Sequence, residues 1–188
     1  MRIGVLALQG AFREHQKILA ECGVESTQIR KNTQLDGISA LIIPGGESTT
    51  IGKLMNEFGL FEPITRMSED GLPVFGTCAG LIMLAKEING SRQARLNLMD
   101  ISVERNAFGR QVDSFEADLD IPVLGTRPYR AVFIRAPYIT SVGRSVQVLA
   151  KYEEKIVLAR QGNFMAAAFH PELTADLRLH RYFIENCL

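Results

Sequence analysis

Residues 3–8, Ile-Gly-Val-Leu-Ala-Leu, form an unbroken apolar run that stops at Gln9-Gly10. A run this short and apolar on both faces predicts a strand buried inside a parallel sheet. The next stretch changes period. Phe12, His15, Leu19 and Cys22 fall at i, i+3, i+7 and i+10, one face of a helix over about 11–22, and Gly23 lies just past its end. A second short strand is expected at about 25–30. Ala40-Leu41-Ile42-Ile43 repeats the buried-strand signature until Pro44-Gly45-Gly46 breaks it. Ser48 or Thr49 then caps a helix through about Phe58. A helix over about 61–70, a core strand at Pro73-Val74-Phe75-Gly76 and an apolar helix through about Ile88 follow.

This β-α-β-α-β-α alternation predicts a parallel sheet with helices on both faces. After about residue 95 the character changes. Apolar strand patterns at 102–105, 131–134, 146–149, 156–159 and 165–169 follow one another without long helices between them. Some antiparallel pairing is therefore expected, before an amphipathic helix over about 175–187 closes the pattern. The expected fold is α/β, with a mixed, mostly parallel sheet flanked by helices. No repeat, linker or low-complexity tract interrupts it, so residues 1–188 read as a single domain.

Composition narrows the function classes. With 188 residues, 46% of them hydrophobic and 22% charged, the chain can bury a core without a disulfide framework or a structural metal. Lys plus Arg equals Asp plus Glu at 21 each. That balance lacks the basic excess of a phosphate-neutralising nucleic-acid binder. Cys22, Cys78 and Cys187 are widely spaced and odd in number, which speaks against zinc sites and secreted disulfide scaffolds. The first apolar run is too short for a signal peptide or a membrane span. A soluble, cytoplasmic protein is expected.

One pattern points to chemistry. Gly76-Thr77-Cys78-Ala79-Gly80 is G-x-C-x-G between a buried strand and an apolar helix. It is the cysteine counterpart of the nucleophile elbow. A tight strand-to-helix turn pushes the nucleophile out of the backbone, needs small neighbours, and aims helix N–H groups and the positive end of the helix dipole at the sulfur. A free cysteine is more often a small buried hydrophobe, and Cys22 and Cys187 suit that role. The two glycines around Cys78 favour the nucleophile.

A thiol nucleophile works with a base, most often histidine. His15 and His180 lie within helical patterns and read as ordinary, partly buried helical residues. His170 differs, because it ends the apolar run 165–169 and leads into Pro171-Glu172. Proline stiffens that hinge, and Glu172 can accept a hydrogen bond from the imidazole. Cys78 and His170 are 92 residues apart, so only the fold can bring them together. An oxyanion needs backbone donors. In an elbow one is the N–H of the residue after the nucleophile, here Ala79. Pro44-Gly45-Gly46-Glu47-Ser48 is the candidate loop for the second; it lacks the Gly-Lys-Ser/Thr ending of a P-loop.

Together these motifs resemble the class I, triad-type glutamine amidotransferases, and more narrowly the glutaminase subunits of pyridoxal phosphate synthases. Four stretches carry the narrower likeness. They are Leu6-Ala7-Leu8-Gln9-Gly10-Ala11 with Glu14-His15, and Pro44-Gly45-Gly46-Glu47-Ser48-Thr49-Thr50. The others are Val103-Glu104-Arg105-Asn106 through Phe108-Gly109-Arg110-Gln111, and Phe169-His170-Pro171-Glu172-Leu173-Thr174.

The resemblance implies hydrolysis of L-glutamine to L-glutamate and ammonia through a thioester on Cys78. His170 would be base and acid, and Glu172 would orient it. Gly46 and Ala79 would form the oxyanion hole. Gly46, Glu47, Ser48, Arg105, Ile134 and Arg135 would hold glutamine, with Ile134-Arg135 in part through backbone. An arginine suits the α-carboxylate of a free amino acid. No cofactor or metal is implied. The implied partner is a (β/α)8-barrel synthase subunit in a hetero-oligomer of many copies, receiving the ammonia through a shielded channel to build pyridoxal 5'-phosphate. Other class I glutaminases, an elbow-cysteine peptidase or deglycase, and a scaffolding subunit without catalysis are the competing functions.

Overall fold

The structure, a computed structural model, describes residues 1–105 and 114–188. Its elements in chain order begin with β1 (Arg2–Leu6), α1 (Phe12–Glu21), β2 (Glu25–Ile29) and β3 (Ala40–Ile43). Next come α2 (Ser48–Glu57), α3 (Phe61–Glu69), β4 (Val74–Thr77), α4 (Ala79–Leu84) and β5 (Ala85–Ile88). Then follow β6 (Met99–Glu104), β7 (Ser114–Leu119), β8 (Tyr129–Ile134), β9 (Tyr138–Val142), β10 (Gln147–Tyr152), β11 (Lys155–Gln161), β12 (Phe164–Ala167) and α5 (Arg178–Cys187).

The large sheet runs β2-β1-β3-β4-β12-β11-β9-β6-β5, with β10 paired to β11 outside that path. From β2 to β12 all neighbours are parallel; β12–β11, β11–β9 and β9–β6 are antiparallel. The parallel part is buried on both faces, which is why β3 and β4 have no exposed residue. The antiparallel part alternates: β6 has Met99, Ile101 and Val103 buried and the residues between them half-buried. A separate two-stranded sheet pairs β7 with β8, where Phe115 stacks on Phe133 at 4.7 Å.

Several elements depart from the sequence pattern. The apolar helix after Gly80 ends at Leu84 rather than continuing to Ile88. Ala85-Lys86-Glu87-Ile88 is extended instead and pairs in parallel with β6. Its residues are good helix formers, so a non-local pairing overrides local preference. The apolar pattern gives no signal for strands β7 and β9. The final helix begins at Arg178 rather than near 175. At the start of α2 the cap is Glu47, not Ser48 or Thr49. Its longer side chain reaches forward to accept from the N–H groups of Thr49 and Thr50 at 3.3 and 2.8 Å.

The placement that matters for function is at the sheet centre. Strand β12, from the end of the chain, lies between β4 and β11, with Thr77 opposite Ala167. Cys78 N–H donates to the Ala167 carbonyl at 2.8 Å. The segments leading from Cys78 and toward His170 thus leave the same sheet edge from adjacent strands, roughly 5 Å apart.

Candidate active site

Cys78 sits between β4 and α4 with φ 50 and ψ −102, a left-handed backbone that costs energy for a residue with a Cβ. The flanking glycines make the turn possible. A methyl on Gly76 would collide with the Gly80 carbonyl, and one on Gly80 with the Ile43 carbonyl of β3. Small residues are therefore required by close packing of three backbones. The side chain of Cys78 emerges at the N-terminal end of α4 and is 7% exposed.

His170 follows β12 and is held by its own N–H, which donates to the Val132 carbonyl of β8 at 2.8 Å. Pro171–Leu173 is a 3-10 turn rather than extended backbone. That turn folds Glu172 back, and its Oε1 lies 2.6 Å from His170 Nδ1. Cys78 is the second group that favours the charged imidazole. Burial would discharge His170, but Cys78 and Glu172 prevail and push its pKa up to about 10. The ring is thereby charged at neutral pH. Gly45 packs against this group: a Cβ there would run into the His170 ring and come within 3.2 Å of the Cys78 Cβ.

These groups open into a cavity of about 360 Å³, large enough for a small amino acid. Its walls include Cys78, Ala79, His170, Gly46, Glu47 and Ser48. Arg105, Ile134 and Arg135 line it as well. Every residue singled out in the sequence is on this cavity except Glu172, which lies behind His170. Three larger surface grooves, of about 570, 750 and 680 Å³, contain no cysteine or histidine among their described residues.

Glu47 and Arg105 form one edge. The Glu47 carboxylate caps α2 and lies 3.5 Å from Arg105 Nη2. Its modest burial would raise its pKa, yet hydrogen bonds from Thr49 and Thr50 hold it down at about 2. Arg105 Nη1 donates to Gln93 Oε1 at 3.0 Å, and Ser48 Oγ donates to the same oxygen at 3.2 Å. On the opposite side, the Ile134 carbonyl lies 3.8 Å from Cys78 Sγ. Arg135 has φ 41. Of the four non-glycine residues with positive φ among the described residues, Cys78 and Arg135 both face this cavity. Two strained residues on the walls of one cavity are the kind of feature that gathers at functional sites.

The Gly45 carbonyl accepts from Ala11 N–H at 3.2 Å. In a trans peptide the N–H points opposite to the carbonyl, so the Gly46 N–H is directed away from Ala11. The neighbouring Glu47 N–H donates to Gln9 Oε1 at 2.7 Å.

Sequence patterns missed four participants. Gln9 lines the cavity and Gln93 collects Ser48 and Arg105; a glutamine in a loop carries no periodic signal. His15 and His180 read as ordinary helical residues, yet both are fully buried and bonded to each other behind the cavity. The stretch Asn106 through Gln111, part of the family resemblance, lies outside the described residues. Among the described residues, no cluster of three or more His, Cys, Asp or Glu side chains could hold a metal ion, and no helix is long and apolar enough to cross a membrane.

Comparison with known proteins agrees with this architecture. Residues 5–188 match the SNO glutamine amidotransferase family. The chain is 73% identical over 188 residues to the pyridoxal 5'-phosphate synthase subunit PdxT of Pelotomaculum thermopropionicum, covering 100% of this chain and 96% of that protein. It is 69% identical over 185 residues to the subunit of the same name from Desulforamulus reducens, covering 98% of each. Among solved structures, a crystal structure of a glutamine amidotransferase superposes with a TM-score of 0.93 at 53% identity, covering 98% of both chains.

Proposed function

Since the chain belongs to the SNO glutamine amidotransferase family, we propose that its cavity hydrolyses glutamine with Cys78 as nucleophile, His170 as acid and base, and Glu172 as the carboxylate that orients His170. The protein is the glutaminase subunit of a pyridoxal 5'-phosphate synthase, releasing ammonia from L-glutamine for the synthase subunit. The observation that carries the residue assignment is His170 held between Cys78 and Glu172 above two adjacent central strands.

The geometry supports the following course of reaction. Charged His170 beside the sulfur supports thiolate attack on the side-chain amide carbon of glutamine. The new C–S bond turns the carbonyl oxygen into an oxyanion, which the N–H groups of Ala79 and Gly46 stabilise. His170 passes its proton to the amide nitrogen, the C–N bond breaks, and ammonia leaves a γ-glutamyl thioester. Neutral His170 then takes a proton from water, whose oxygen attacks the thioester. Collapse of the second oxyanion breaks the C–S bond and releases glutamate and the thiolate. Glu172 keeps Nδ1 engaged throughout, so Nε2 remains the nitrogen that exchanges protons with sulfur, leaving group and water.

Free glutamine presents two opposite charges on its α-carbon. Arg105 matches the carboxylate and Glu47 the ammonium, and their 3.5 Å separation suits both. Ser48 and the Ile134-Arg135 backbone complete the amino-acid end. Ammonia in water at neutral pH is mostly protonated and no longer nucleophilic, so a shielded route to a docked barrel-shaped synthase subunit completes the function. That assembly is a hetero-oligomer in the cytoplasm.

The test is ammonia release from glutamine by the chain alone and with the synthase subunit, with Cys78→Ala as control. Activity that rises on mixing and vanishes in the variant supports the assignment. Activity that survives Cys78→Ala overturns it.

A further inference from the structure

Behind Glu172 lies a buried group that the reaction above does not use. His15 of α1 has its Nδ1 3.0 Å from His180 Nε2 of α5. Its Nε2 is 3.2 Å from Thr77 Oγ1, the hydroxyl next to Cys78, and 3.4 Å from Glu172 Oε2. His15, Thr77 and His180 are fully buried. Glu172 Oε2 is buried as well and makes no hydrogen bond in the resting arrangement. A buried carboxylate oxygen with no donor, facing an imidazole nitrogen, calls for that nitrogen to carry its proton toward it.

The hydrogen-bond inventory selects one tautomer. If His15 Nε2 carried no proton, its lone pair would face the carboxylate. His15 Nδ1–H would then donate to His180 Nε2, leaving His180 Nδ1–H a buried donor, and that atom makes no hydrogen bond. In the other tautomer His180 Nε2–H donates to His15 Nδ1, and His15 Nε2–H faces Thr77 Oγ1 and Glu172 Oε2. Only a lone pair on His180 Nδ1 is then unmatched. Neither ring brings a charge: burial holds His180 at about 3, and burial together with the neighbouring His180 and His170 holds His15 well below its usual value. The edge of Phe75 seals His180 from the sheet side, with ring centres 5.9 Å apart.

We infer that His15 is a positioning residue of the triad: its Nε2–H, oriented by His180, fixes the outer oxygen of Glu172 so that the inner oxygen stays on His170. A carboxylate held at one oxygen can swing; held at both, its plane is set, and so is the direction of the His170 ring. His15 also touches the hydroxyl beside Cys78, so one imidazole ties the nucleophile's strand to the carboxylate. This inference rests on Cys78, His170 and Glu172 being the catalytic triad.

The experiment uses the synthase-docked protein for ammonia release and the free subunit for the pH profile of Cys78 alkylation by iodoacetamide. His15→Phe lowers kcat by about 10- to 100-fold with KM for glutamine nearly unchanged, and moves the alkylation profile to higher pH, as Glu172→Gln does. His15→Gln, whose amide nitrogen takes the place of Nε2, retains most of kcat and the original profile. His15→Asn, too short to reach Glu172, does not. Unchanged kcat and profile in a folded His15→Phe, or equal losses in the Gln and Asn variants, would overturn the inference. The Gln and Asn pair decides the matter if the Phe variant does not fold. If Glu172→Gln also leaves the rate unchanged, it is the triad assignment that fails.

Discussion

Glu172 reaches His170 across a single proline, with 2.6 Å between Oε1 and Nδ1. The 3-10 turn at Pro171–Leu173 makes the pair local, so no distant loop is needed to bring the carboxylate to the ring. Glu172→Gln keeps size and shape but can present an amide donor to Nδ1, favouring the wrong tautomer. Turnover should fall by about 10²- to 10⁴-fold with little change in KM, as measured by steady-state ammonia release.

The same contact has a titration signature. His170 is pushed up to about 10 by Cys78 and Glu172 against the effect of burial. A raised histidine stabilises the fold below its unfolded value of about 6.5, and that contribution is lost as the pH rises through about 10. In Cys78→Ala one of the two partners is gone. The His170 midpoint, followed by nitrogen NMR of the imidazole, should move down relative to the wild type. An unchanged midpoint would mean that Glu172 alone sets it.

His180 behaves in the opposite sense. Burial lowers it to about 3, so below about pH 6.5 the unfolded chain takes up a proton that the folded protein refuses. Stability falls as the pH drops from there toward 3, by up to about 1.4 kcal/mol per pH unit for this one residue. Urea unfolding at pH 7.5, 6.5 and 5.5 should give a shallower dependence in His180→Phe than in the wild type. Equal slopes would contradict the buried, neutral state.

Arg105 and Arg135 separate side-chain recognition from backbone recognition. Removing the Arg105 guanidinium should raise KM for glutamine by about 10- to 100-fold, the range for a hydrogen bond to a charged group, with kcat less affected. Arg135 has φ 41, which glycine adopts without strain. Arg135→Gly should keep KM within about threefold if the Ile134-Arg135 segment acts through its backbone. Steady-state kinetics on both variants distinguishes the two.

Gly80 tests the elbow's sterics. It lies inside α4, where alanine would ordinarily gain up to about 1 kcal/mol. A Cβ there would instead strike the Ile43 carbonyl of β3, a backbone atom that cannot rotate away. Gly80→Ala should destabilise by about 1–3 kcal/mol, lowering Tm by several degrees, and should impair glutaminase activity. Gly162→Ala has open space around it and meets only the strain of its positive φ of 58, so it should leave activity intact.

How much of this was legible in the sequence followed locality. The parallel half was readable because each strand there is an apolar run bounded by Gly or Pro. The Cys78 elbow and the nearness of Glu172 to His170 are legible because both are short local patterns, but the 3-10 turn that brings the pair together is not. Ala85-Lys86-Glu87-Ile88 was misread as helix because its pairing with β6 is non-local. The Glu47 cap was missed because shorter side chains at 48 and 49 are the usual capping residues. His15 and His180 each carry only an ordinary helical signal. Their 3.0 Å contact spans 165 positions of chain, and no periodicity reports such a meeting.

The strand order has a temporal consequence. The proposed nucleophile, Cys78, lies within the first half of the chain, but its proposed base follows β12, which must insert beside β4 at the sheet centre. A chain emerging during synthesis folds its earlier segments first. Until residues 164–172 have emerged and docked, Cys78 has neither proton acceptor nor orienting carboxylate. On the proposed mechanism, glutamine hydrolysis therefore begins only once the sheet has closed.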